Sequence, residues 1–118
     1  MTLFANVAVA MVALLHVYFL VLEMFLWDKP TGLRTFGHTL EAARGSKVLA
    51  ANQGLYNGFL AAGLIWGLML GASGMHIKFF FLGCVLIAGL YGAATASRKI
   101  LYVQALPAAI ALVLLFLS

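Results

Sequence analysis

Charge is what this sequence has least of. Glu23, Asp28 and Glu41 are its only acidic residues, and charged residues of either sign make up 8% of its 118 positions. Soluble domains carry about 25%, so there is too little charge here to clothe a water-exposed surface. Cysteine is nearly absent as well. Cys84 stands alone inside an apolar run, which excludes an internal disulfide framework and reads as a small buried hydrophobe. No Lys or Arg precedes Lys29, so the basic opening of a secretion signal is missing. The apolar run Leu3–Trp27 also exceeds the roughly 7–15 residues of a signal's hydrophobic region, and it is expected to stay as a spanning helix.

What is present is apolar length: 65% of the residues are hydrophobic. A bilayer core takes about 20 apolar residues per helix. Four runs meet that need, at about 3–27, 47–72, 76–97 and 100–117. The last two are separated only by Ser97-Arg98-Lys99, expected as a tight turn at a membrane surface. The expected fold is therefore all-α, a single four-helix transmembrane domain over residues 1–118. A chain this short has no room for a separate soluble enzyme, so any active site lies in the bundle or its loops.

The net charge of +4 does not point to nucleic acid. The basic residues lie at the ends of apolar runs, where orientation signals and headgroup contacts belong. Lys29, Arg34, Arg44 and Lys47 mark the first loop, Arg98 and Lys99 the third, and Lys78 alone the opposite side. This asymmetry puts loops one and three in the cytoplasm and both termini outside, with the bacterial inner membrane as the expected location. In the first loop, Asp28-Lys29-Pro30-Thr31-Gly32 reads as a turn. Leu33, Phe36 and Leu40 then recur at three and four residues, a pattern fitting either a short interfacial helix or an ordered loop.

Polar groups within a bilayer are costly and draw functional attention. His16 and Glu23 are seven residues apart, so they share a helix face with Ala5, Val9, Val12, Phe19 and Trp27. Glu23 is read as a near-surface carboxylate paired with Lys47 or Lys99, or as a buried functional acid. His16 is read as a hydrogen-bonding strut, a proton relay or a substrate contact. The second helix opens with Asn52, Gln53, Tyr56 and Asn57, which fit either ligand binding or interhelical hydrogen bonding. Tyr91, Tyr102, Gln104 and Trp27 add polar groups at similar depth. Pro107 is expected to kink the last helix by freeing the carbonyl of Val103. Together these residues suggest a polar pocket facing the cytoplasm. No metal site is expected: His16, His38 and His76 fall at separate depths, and His38 and His76 read as solvated. No cofactor motif is present. Small residues at four-residue spacing, Gly54 with Gly58 and Gly63 with Gly67 and Gly71, suit helix packing or a homodimer.

The run Glu23-Met24-Phe25-Leu26-Trp27 followed by Pro30, then Phe36-Gly37, then Ala51-Asn52-Gln53-Gly54-Leu55-Tyr56-Asn57-Gly58-Phe59-Leu60-Ala61, resembles the bacterial membrane-protein family known as domain of unknown function 1304. The resemblance spans essentially the whole chain. It implies four membrane helices and draws attention to Glu23, Asn52, Gln53, Tyr56 and Asn57. It implies no substrate. Three functions stay open at this stage. One is a binder or proton-coupled transporter of a small molecule, with Glu23 exchanging protons. A second is a cofactor-free intramembrane isomerase acting on a lipid-like or isoprenoid substrate, with His16 and Glu23 as acid and base. The third is an accessory subunit. Membrane lipids are the expected partners in every case, beside a lipid-like or other small ligand in the first two and a second copy of the chain.

Overall fold

The computed structural model describes residues 1–118. Every regular element in it is helical. Helix α1 covers Thr2–Met24, α2 Pro30–Phe36, α3 Leu40–Gly45, α4 Lys47–Met69, α5 Met75–Thr95 and α6 Leu106–Leu117. A 3-10 turn, Gly71–Gly74, leads into α5, and a π-helical turn, Leu101–Ala105, leads into α6. By length and composition, α1 and the segment Gly71–Thr95 are each long and apolar enough to cross a bilayer, and Leu101–Leu117 is a shorter apolar helix.

The loop after α1 departs from a single interfacial helix. Pro30 opens α2, where its missing N–H costs nothing. Gly37 closes it in the left-handed region, at φ 68°, a conformation that a Cβ would oppose. Thr39 then starts α3 by accepting the Ala42 N–H on its hydroxyl at 3.1 Å. Leu40 therefore sits on a different helix from Leu33 and Phe36. The periodicity was real, but it crossed a break that only the glycine and the capping threonine announce.

The chain forms two compact units, Met1–Leu14 with Leu60–Ser118, and Leu15–Phe59. The core of the first gathers Ala5, Val9, Val12 and Ala13 from α1, Leu64 from α4, Leu82 and Val85 from α5, and Ala108, Ala111 and Leu115 from α6. Alanines let these helices come close. At Gly89 the approach is backbone to backbone: a Cβ there would fall 2.7 Å from the Ala105 nitrogen. In the second unit, the α1 and α4 segments run antiparallel. Gly54 faces Glu23 and Met24, while Gly58, one turn further along α4, faces Leu20, one turn back along α1.

The expected disturbance at Pro107 takes the form of the π-helical turn. The Leu106 N–H bonds to the Leu101 carbonyl five residues back, so the ladder is already widened where the proline ring enters.

Candidate functional site

The buried residues of α1 include Ala5, Val9, Val12 and His16, spaced alternately by four and three. Continuing that spacing leads through Phe19 to Glu23. On α4 the buried stripe is Ala50, Gly54, Asn57, Ala61 and Leu64, again at four and three. Asn57 is thus the one polar side chain of its group carried on the packed face. Its amide nitrogen donates to the Glu23 Oε1. The bond joins the two helices of the second unit, and Gly54 makes room for it: a Cβ there would sit 3.2 Å from the Glu23 Cβ and 2.6 Å from Met24 Cγ.

Of the alternatives left open for Glu23, a pairing with Lys47 is not the one found. The Lys47 ammonium goes instead to Asp28 Oδ2 at 3.0 Å. That hydrogen bond holds the Asp28 carboxyl below its ordinary range, with the lysine charge reinforcing it. Glu23 is left with a neutral partner and belongs to no ion pair.

His16 is fully buried, with its ring set edge-on to Phe19 at 5.3 Å between centroids. Seven residues separate it from Glu23, about 10 Å along the helix axis, so the two cannot exchange a proton directly. Asn52, Gln53 and Tyr56 face outward, as do Tyr91 and Tyr102, and Gln104 is half-buried. The structure therefore brings together Glu23 and Asn57, while the other members of the polar run on α4 face outward.

Trp27 belongs to a separate cluster at the end of α1. Its indole N–H donates to Ser46 Oγ at 3.1 Å, and its ring packs against Phe36 and His38, with centroids 4.8 and 4.4 Å away. His38 is accordingly half-buried rather than solvated, with Nε2 3.3 Å from the Trp27 carbonyl oxygen. Periodicity carries no signal for this contact, because the αL turn at Gly37 folds His38 back on Phe36. One further buried polar group lies outside the residues that the sequence singles out as site candidates: Lys78 on α5, which in the sequence reads only as an orientation charge, is buried and donates to Asn6 Oδ1 at 3.0 Å.

No solved structure matches the chain. Among curated proteins it is similar to the uncharacterized protein YpaA of Lactococcus lactis subsp. lactis (strain IL1403), with 32% identity over 115 residues covering 96% of this chain and 97% of that protein. The family profile described as protein of unknown function (DUF1304) matches residues 10–116, a stretch that takes in Glu23, Asn57 and the intervening loop. The chain belongs to the DUF1304 family.

Proposed function

We propose that this is a four-crossing membrane protein that binds a small amphipathic molecule at the Glu23–Asn57 centre. The membrane reading draws on what the helices leave uncovered. Leu3, Phe4, Met11 and Leu14 on α1, Phe80, Ile87 and Leu90 on α5, and Ile110, Val113 and Phe116 on α6 are all exposed. Only 28% of the most apolar window of α1 and 22% of that of Gly71–Thr95 is buried. A core helix of a soluble protein would be buried through most of its length, and an apolar surface this continuous calls for lipid or a partner. Helix α4 has 23 residues, about 35 Å at 1.5 Å per residue, enough to cross beside them. Its Asn52, Gln53 and Asn57 lower its hydropathy without shortening it. The basic loops set both termini outside and the loop after α1 in the cytoplasm.

One observation carries the binding reading. A carboxylate set into a long apolar helix is answered only by a neutral amide. A merely structural acid in that setting would gain more from a nearby lysine, and Lys47, in the same unit, is spent on Asp28. Glu23 thus keeps acceptor capacity for an incoming head group that donates hydrogen bonds or carries positive charge. Asn57 orients the carboxylate, and a proton or a cationic head satisfies it in turn, which is the elementary requirement for proton-coupled binding.

Native mass spectrometry of the purified protein beside its Glu23→Gln variant tests this. A small molecule retained by the parent and lost from the variant is the expected result. Spectra free of ligand in both, or a ligand retained equally by both, overturn the assignment. A retained molecule that emerges with altered structure after incubation would move the reading from transport to acid–base catalysis at the same pair.

A further inference from the structure

Lys78 is 3% exposed. Its stem lies over Gly67, where a Cβ would come within 2.8 Å of the lysine Cγ. Its nitrogen has one acceptor, Asn6 Oδ1 at 3.0 Å. The compact unit that contains both residues, Met1–Leu14 with Leu60–Ser118, holds no Asp or Glu, because Glu23, Asp28 and Glu41 all fall within Leu15–Phe59. The chain's ion pair is made elsewhere, by Lys47 and Asp28.

An ammonium has three donors and no acceptor, so two of its donors remain beyond Asn6. The Asn6 oxygen faces the lysine, which leaves the two amide hydrogens of Asn6 as further donors. Asn6 is only half-buried, so the pair is open on its side. Lys78 is the fourth residue of α5 and Asn6 the fifth of α1, which puts them about 4.5 and about 6 Å from their helix starts. The positive end of the α5 dipole adds to the field there. A buried cation without a counter-charge is unfavourable, and the hydrogen-bond partner given to this one is a neutral amide.

We propose that Lys78 and Asn6 form an anion site for a phosphate group, with the lysine supplying the charge and the Asn6 amide a second donor. The site uses none of the residues of the Glu23 centre. Its depth, one turn in from two helix starts, matches the phosphate level of the leaflet opposite the basic loops, so a net-anionic lipid headgroup and free phosphate present the same chemistry.

The test uses the full-length protein, delipidated in detergent. Native mass spectrometry and thermal unfolding are read with dimyristoyl phosphatidylglycerol, dimyristoyl phosphatidylcholine or inorganic phosphate added. The expected result is one phosphatidylglycerol per chain, retained in preference to phosphatidylcholine, with a rise in unfolding temperature. Lys78→Met should weaken that retention about tenfold or more, as loss of a charged hydrogen-bond partner does, and Lys78→Arg should keep it. Asn6→Leu leaves the lysine in place and should weaken retention in the same direction, so the proposal stays testable if the methionine variant fails to fold. Stabilisation by inorganic phosphate, abolished in Lys78→Met, would also support the site and assign it to a free anion. Equal retention of the two lipids with no response to phosphate, or retention unchanged in Lys78→Met and Asn6→Leu, would overturn it.

Discussion

Asn57 donates its side-chain amide to the Glu23 carboxylate, so the acid set into α1 is answered by a neutral group from the facing helix and not by any of the chain's seven basic residues. The two helices run antiparallel there, and each Cα–Cβ bond leans toward its own helix start. Glu23 leans back along α1 and Asn57 back along α4, so the side chains reach toward each other across a difference in depth.

That geometry separates the consequences of two substitutions. Glu23→Gln keeps an oxygen in place to accept from Asn57, and its unfolding free energy should stay within about 1 kcal/mol of the parent. Glu23→Ala leaves the buried Asn57 amide unanswered, at a cost of about 1–3 kcal/mol. Thermal unfolding of the two variants in detergent, side by side, reads the difference. Equal losses would mean that the hydrogen bond contributes nothing to folding.

The close approach of α5 to the π-helical turn predicts a contrast between two glycines of one helix. Gly89→Ala must push its methyl group against the Ala105 backbone, which has no flexible end to give way, and should destabilise by about 1–3 kcal/mol. Gly83 has nothing within 4 Å of the position its Cβ would take. Gly83→Ala should be neutral, or stabilising by up to about 1 kcal/mol through helix propensity. Unfolding temperatures of the two variants check this, and a loss of the same size in both would refute the packing argument.

Asp28 provides a pH dependence whose sign follows from its partner. The hydrogen bond from Lys47 lowers the carboxyl below its ordinary value in the folded chain. A lowered folded value means that its contribution is present above the unfolded carboxylate range and is lost as pH falls through the folded one. Asp28→Asn should therefore unfold slightly earlier than the parent near neutral pH. The gap should close on acidification below the carboxylate range. A gap that widens in acid would reverse the assignment.

The all-helical class was legible because apolar runs of bilayer length leave few other options, and the breaks at Asp28–Gly32 and Ser97–Lys99 stand out in composition. The face of α1 bearing His16 was legible too, since one periodicity governs it throughout. The partner of Glu23 was harder. Matching residues by depth along two helices points to Asn52 and Gln53, and it ignores the opposed lean of side chains on antiparallel helices. The four-and-three spacing of Ala50, Gly54, Asn57, Ala61 and Leu64 carried the missing information, because small residues at that spacing mark the packed stripe and single out Asn57. The burial of Lys78 had no local signal at all. It depends on Gly67, eleven residues earlier in the sequence, and on Asn6 in another helix.

The widened turn at Leu101–Ala105 carries one residue more than an α-helical path of the same height would need. Removing a residue from it would let the ladder close to the ordinary pitch, whereas removing one from the middle of α5 would turn every later side chain by about 100°. The start of the last helix is therefore the place in this fold where chain length can drift by one with least harm. Such a deletion would also swing Tyr102 and Gln104 around the axis while Ala108, Ala111 and Leu115 stay seated, so the directions of these two polar side chains could change without disturbing the core.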